Sequence, residues 1–344
     1  MPLLTASVLT RFAESILIAA GAPPHKAAIV AESLVGSNLR GVDSHGIQLL
    51  PFYATRLVEG LMDPLADGRV ISEAGACLLF DGQNAIGQWV AETCCGHAVR
   101  MAREHGLGLV VARESNHFGA AAWWSGKMRL AGQIGIVMCN ASAIVPPWQG
   151  REGRIGTNPI SMAVPGPWLL DMATTTVAAG KIFKAYFNGE PNIPAGWAFG
   201  PDGSPTTDTV EAYKGTLMPL GGYKGSGLGM MVEILCGVLG GAAMSTEVGG
   251  IRTVGRPMRT GQIYLAIDVA RFLPIETFTA RMEELVRTIK ATPTGPGYDE
   301  VLVAGDPEWR TETERRRNGI PINDGNWRDM LKAAERVGVA PPAA

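Results

Sequence analysis

Residues 86–139 read IGQWVAETCCGHAVRMAREHGLGLVVARESNHFGAAAWWSGKMRLAGQIGIVMC. Two Ala-rich segments with helical character, Ile86–Glu104 and Ala120–Leu130, alternate with two short apolar runs, Leu107–Ala112 and Ile134–Cys139. Apolar runs of this length between turn signals are read as buried strands. Alternating strands and helices predict an α/β domain. Ser161–Val164 extends the series by one more strand.

Outward from this core the texture changes. Residues 5–60 read as helices. Thr5 can cap the first, and Val8, Leu9, Phe12, Ile16 and Ala20 recur near helical spacing. Gly21 and the pair Pro23-Pro24 end that helix. Ala27–Leu39 resumes the pattern, and Pro51–Glu59 forms a third helix with its proline in the first turn. On the C-terminal side, Asn188–Asp208 is rich in Gly, Pro, Thr and Asp and predicts a long surface connection. Ser226–Leu239 predicts a helix, Gln262–Asp268 a strand and Ile275–Ala291 a helix. Consecutive Arg315, Arg316 and Arg317 in the charged tail read as a solvated face. The expected organisation is an N-terminal helical part over 1–65, an α/β cofactor- and substrate-binding region over 66–293, and a C-terminal segment over 294–344.

Composition narrows the class. The 344 residues are 46% hydrophobic and 18% charged, enough apolar surface for a large core and too much for a disordered chain. A net charge of −2 leaves no basic footprint for nucleic acid or an anionic membrane. The most apolar stretch, Leu228–Met244, is interrupted by Glu233 and several glycines, so a membrane span is not expected. The N-terminal apolar run carries Arg11 and Glu14, which favours an amphipathic helix over a signal peptide. The five cysteines have neither zinc-site nor disulfide spacing, so no metal is expected. A cytoplasmic protein is the expectation.

Familiar cofactor and hydrolase motifs are missing: there is no G-x-G-x-x-G after an early strand, no P-loop, no H-E-x-x-H and no G-x-S-x-G. Two histidines stand in Gly-flanked segments, RGVDSHG (Arg40–Gly46) and NHFGAA (Asn116–Ala121). A histidine can give or take a proton near neutral pH. Asp43 and Ser44 offer His45 hydrogen bonds. Local sequence alone leaves His45 between a proton-transfer group and a helix cap, leaning to the cap. Asp171-Met172-Ala173-Thr174-Thr175-Thr176 follows an apolar run. It could bind phosphate or ribose, hold a histidine through Asp171, or simply cap a helix. GGYKGSGL (Gly221–Leu228) opens a helix, and its free N–H groups with Lys224 suit an anion; a plain Gly-rich turn is the competing account.

Taken in order, RGVDSHG, NHFGAA, GTNPIS (Gly156–Ser161), DMATT (Asp171–Thr175), PAGWA (Pro194–Ala198), PTTD (Pro205–Asp208) and GGYKGSGL resemble the malate/L-lactate dehydrogenase family of the non-Rossmann, sulfolactate dehydrogenase-like type. That family includes ureidoglycolate dehydrogenase, diketogulonate reductase and cyclic ketimine reductases. The resemblance covers nearly the whole chain. It implies a three-layer α/β nicotinamide-binding domain packed with a helical domain formed from both termini, and a homodimer or larger homo-oligomer. It implies NAD or NADP as cofactor and a small 2-oxo or 2-hydroxy acid as substrate, or alternatively the C=N bond of a cyclic imino acid. His45 matches the family's proton donor, oriented by Ser44 and Asp171, with His117 as the second active-site histidine. Tyr53, Thr157 and Asn158 match positions around the substrate. His117, Phe118, Gly119, Ser142, Asp171, Met172, Ala173, Thr174, Thr175, Lys224, Gly225, Gly305 and Asp306 match cofactor-contacting segments.

Two departures bear on substrate. The family often carries arginine three residues after the glycine matching Gly46, a side chain suited to gripping a carboxylate through two parallel hydrogen bonds. Here that position is Leu49. The family's C-terminal PGE motif stands as Ala304-Gly305-Asp306, which keeps the acid.

Overall fold

The computed structural model describes residues 2–253 and 255–342. Strand β1 (Leu3–Leu4) leads into helices α1 (Ala6–Ala19), α2 (Pro24–Leu39) and α3 (Leu50–Val58). Strands β2 (Arg69–Ala74) and β3 (Cys77–Asp81) precede α4 (Gly87–His105), β4 (Leu107–Ser115), α5 (Ala121–Leu130) and β5 (Gln133–Cys139). Next come β6 (Ile160–Val164), β7 (Trp168–Met172), α6 (Ala179–Phe187), β8 (Ala198–Phe199), β9 (Pro205–Thr206), α7 (Thr209–Lys214) and β10 (Thr216–Leu217). The chain closes with α8 (Tyr223–Glu233), β11 (Thr260–Asp268), α9 (Ile275–Lys290), α10 (Asp306–Asn318), β12 (Ile320–Pro321) and α11 (Asp324–Arg336). The elements expected over 86–139 agree with α4, β4, α5 and β5. The helix expected over Ser226–Leu239 begins earlier, at Tyr223, and continues past α8 as a π-helical turn, Ile234–Val238.

Seven strands form the main sheet in the order β2-β3-β4-β11-β5-β6-β7. Only β3 and β4 run parallel; every other neighbouring pair is antiparallel. Both faces are covered, and the middles of the central strands are apolar, as in Leu109–Ala112, Ile136–Cys139 and Ile263–Ile267. Val110, Ala112, Tyr264 and Ala266 pack against α4 and α5. Val111 and Ile263, pointing the other way by the period of two, meet Val232 and Cys236 of α8 and its π turn. Helix, sheet and helix make three layers.

This topology gathers distant segments at one edge. Ser115 lies opposite Thr260, Gln262 opposite Cys139, Met138 opposite Ile160, and Ile160 opposite Met172. The ends of β4, β5 and β7 and the starts of β6 and β11 therefore open on the same side. His117, Ser142, Thr157, the Asp171–Thr175 run and the loop before β11 are neighbours for that reason.

The helices of both chain ends share a second core. Leu9, Ile16, Leu34, Leu50 and Tyr53 pack with Ile320, Ile322, Met330 and Ala334, and β1 pairs antiparallel with β12. The arginine run is only partly the solvated face expected. Arg315 is 15% exposed and pairs with Asp43, Nη1 at 2.6 Å and Nη2 at 3.0 Å. It also donates to the Asn38 carbonyl at 2.5 Å. The surface connection expected over Asn188–Asp208 contains β8 and β9, which with β10 form a small sheet over Val145, Ile155 and Ile182. Strands of two residues carry no periodicity to read.

At Gly87 the first turn of α4 meets the backbone before His117. A Cβ there would lie 2.2 Å from the His117 carbonyl oxygen and 2.4 Å from that of Asn116. Neither atom can rotate away. Gly87→Ala is expected to lower the unfolding free energy by about 3 kcal/mol and to depress turnover. Urea unfolding beside a turnover assay checks both; a variant as stable as the parent would rule out this close approach.

Candidate active site

The loop bearing His45 is short, and most of its bonds are made behind it. Buried Asn38, at the end of α2, donates to Asp43 Oδ1 at 2.5 Å and accepts the Ile47 N–H at 2.7 Å. Arg315 completes the grip on Asp43. Charge-assisted and bidentate, this is the stronger class of hydrogen bond. Asp43 thus anchors the loop to α10 and leaves Ser44 as the partner of the histidine. Ser44 Oγ lies 3.0 Å from His45 Nδ1.

His117 sits opposite, and the two imidazoles are stacked with centroids 5.8 Å apart and planes 15° from parallel. Both are half-buried. His117 Nδ1 faces two donors, the Tyr53 hydroxyl at 2.6 Å and the Gly119 N–H at 3.2 Å. A backbone N–H can only donate, so this nitrogen accepts and the ring proton belongs on Nε2. Burial, then the neighbouring His45, Arg252 and Arg56, lower the His117 pKa to about 3. His45 is also lowered, by burial first and then by Arg252. A neutral imidazole pair beside an uncompensated cation describes a site open to an anion.

Arg252 was not singled out in the sequence. Its guanidinium lies over the Phe52 ring at 4.5 Å and near Phe183 at 5.9 Å. The available signal was a lone cation in a glycine-rich loop, Gly249-Gly250-Ile251-Arg252. That signal is weak until the sheet brings the loop to His45.

Several expected site residues have other partners. Asp171 is exposed; it accepts the Ala122 N–H at 3.0 Å. Protein around its carboxyl raises its pKa, with Arg40 and Glu308 as the nearby charges. It does not orient His45, whose partner is Ser44. Asn158 is fully buried. Its amide is spent on Ala141 N, Gly229 O and the Glu233 carboxyl at 3.0, 2.8 and 2.9 Å. No part of that side chain is free for a substrate. Thr157 contributes its carbonyl, which accepts from both the N–H and the hydroxyl of Thr174. Phe118 is a core side chain, 3% exposed, between Trp124 and Tyr264. Thr174 and Thr175 are buried, and their hydroxyls donate to the carbonyls of Thr157 and Val177. Asp306 accepts from Val303 N and pairs with Lys290 at 2.7 Å, closing the turn that Gly305 begins.

The residues that remain fit a dinucleotide. Leu220 N donates to Thr174 O at 3.0 Å and Gly225 N to Leu220 O at 2.7 Å, which joins the end of β7 to the start of α8. The first N–H groups of a helix lack intrahelical acceptors and favour a phosphate. Lys224 stands exposed among them, with no carboxylate partner among the described residues. Met172, Ala173 and Ser142 are half-buried on the same sheet edge. Lys224 and the free N–H groups at the start of α8 suit the diphosphate of a dinucleotide.

Comparison with known proteins agrees with this geometry. The family model for malate/L-lactate dehydrogenase matches residues 4–331. Malate dehydrogenase of Pyrococcus horikoshii is 36% identical, covering 96% of this chain and 94% of that protein. The structure of sulfolactate dehydrogenase from Methanocaldococcus jannaschii superposes with a TM-score of 0.92 at 32% identity, over 98% of each chain. Delta1-piperideine-2-carboxylate reductase from Pseudomonas syringae pathovar tomato gives 0.86 at 28% identity, over 97% of this chain and all of that one. The chain belongs to the malate/L-lactate dehydrogenase family of oxidoreductases.

Proposed function

We propose that the chain transfers a hydride between NAD or NADP and a small 2-oxo or 2-hydroxy acid, with His45 as the proton donor. The observation that carries this reading is the stacked imidazole pair in the field of Arg252 at the sheet edge. When bound, the nicotinamide supplies or takes the hydride. Everything else falls to side chains.

During reduction, negative charge grows on the substrate oxygen. His117 can meet it with Nε2–H while staying neutral, because Tyr53 and Gly119 hold Nδ1 as an acceptor. His45 can then deliver the proton from Nε2. Its Nδ1–H keeps Ser44 Oγ as acceptor in both protonation states, so the ring need not turn during the transfer. Serine carries no charge, and so it does not raise the histidine as a carboxylate would. His45 therefore releases its proton easily and also serves as base in the oxidative direction. Lys224 and the start of α8 would hold the diphosphate. A homo-oligomer is supported by Met230, Ile234, Val238 and Leu239, which leave an apolar face exposed along one helix.

A second reading, reduction of the C=N bond of a cyclic imino acid, is supported by the likeness to the Pseudomonas reductase. Purified protein with NADH or NADPH and a panel of 2-oxo acids and cyclic imines separates the two. Turnover of imines alone would overturn the first.

His45→Ala is expected to lower kcat by about 10²–10⁴-fold, and intact turnover would remove His45 from the mechanism. Reduction needs protonated His45, whose pKa lies below the ordinary 6.5. The reductive kcat/KM should therefore be full below that lowered value and fall as pH rises through it. The oxidative kcat/KM should fall as pH drops through the same value and stay level above it. A break above 6.5 in the pH–rate profile would contradict the assignment. Asn158→Ala is expected to cost about 2–3 kcal/mol of stability by stranding buried Glu233. A raised KM with unchanged unfolding would return Asn158 to the substrate.

A further inference from the structure

Leu49 is 3% exposed and packs inside the helical core. Position 49 therefore offers no charge to a substrate, and a carboxylate entering this site needs a different cation. Arg56 cannot serve. It is 2% exposed, and both terminal nitrogens are spent, Nη1 on the Thr253 carbonyl at 3.0 Å and Nη2 on the Arg256 carbonyl at 2.8 Å. Arg40 lies toward Asp171 and Arg129. Lys224 belongs to the far end, at the start of α8.

Arg252 differs from all of these. Its guanidinium carbon lies over the Phe52 ring, 4.5 Å from the centroid, with the Phe183 ring farther off at 5.9 Å. It makes no hydrogen bond or ion pair among the described residues. Stacking on an aromatic face fixes the plane of a guanidinium and leaves its in-plane N–H groups free. Those donors match a carboxylate two at a time. Phe52 precedes Tyr53, whose hydroxyl holds His117, so the stacked plane is referred to the same helix as the imidazole.

Described residues on both sides of Arg252 are tied down. Arg56 pins residues 253 and 256 to α3, Arg256 donates back to the Val248 carbonyl at 3.0 Å, and Gly249 N donates to Met258 O at 2.9 Å. A Cβ at Gly250 would stand 3.2 Å from Ser142 Oγ, so the loop lies directly on the end of β5. Arg252 is thereby held over the residue before Tyr53, the partner of His117, and its charge is felt by both imidazoles.

We infer that Arg252, stacked on Phe52 and delivered by the loop that Arg56 clamps, is the carboxylate receptor of this site and takes the place of the arginine absent at position 49. The substrate it selects is an acid whose carboxylate adjoins the reacting carbon. This rests on the hydroxy-acid reading above, and the test separates the two. The wild type is first assayed with a 2-oxo acid and with its methyl ester, then compared with Arg252→Gln and Arg252→Lys. For the acid, Arg252→Gln should lose about 100-fold in kcat/KM, mostly through KM. The ester should change little, and lysine should recover only part of the loss. Oxalate binding to the cofactor-loaded protein, read by calorimetry, gives a second measure that needs no turnover and should weaken by a similar factor. Equal losses for acid and ester, or unchanged oxalate binding with an unshifted thermal melt, would overturn the inference. A wild type inactive on every 2-oxo acid, but with oxalate binding that depends on Arg252, would overturn the hydroxy-acid reading and leave the receptor standing.

Discussion

Strand β11 is hydrogen-bonded along its length on both sides, to β4 and to β5. It comes from residues 260–268 and is inserted between strands formed far earlier in the chain. Without it the sheet would be two separate halves, one ending at β4 and one beginning at β5. Its two antiparallel pairings set the direction of every other strand end. They bring the His117 loop, the segment after Cys139, the Asp171–Thr175 run and the Arg252 loop to a single edge. The chemistry depends on that insertion more than on any one side chain.

The helical layer adds what the sheet cannot. His45 belongs to no strand, and its position is set by Asn38, Arg315 and Asp43. The His45–His117 pair is thus assembled across two cores, one of helices and one of sheet. A single close approach, Gly87 against the His117 carbonyl, keeps the second histidine in register with α4. Its partner Tyr53 comes from α3, so the helical core also donates to a ring carried by the sheet.

Local structure was legible in the sequence, and pairwise roles were less so. The segments over 86–139 declare themselves because helical and strand periodicity depend on neighbours in sequence. The α/β class followed from them; the three layers were implied only by the family resemblance that the ordered motifs carry. Strand β2 was invisible, since all six of its residues are exposed and carry no burial pattern. The strand order was equally out of reach, because it depends on which distant segment fills the gap beside β4. Within the site, motif membership marked segments that the fold brings to one edge, but not which way each side chain points. Phe118, Thr174, Thr175 and Asn158 lie in the expected segments yet face the interior, where their bonds hold the scaffold. Arg315 was hidden in a run of like charges, and only the contact across to Asp43 distinguishes it from its neighbours. Arg252 had no motif at all.

The bond between Arg315 and Asp43 joins positions 272 residues apart. During synthesis the histidine segment leaves the ribosome well before the arginine that steadies it is made. A growing chain therefore carries His45 for most of its assembly without the grip that gives the loop its shape. The shape of the His45 loop is therefore set only once residue 315 has been made, and shorter products of translation carry the motif without that grip.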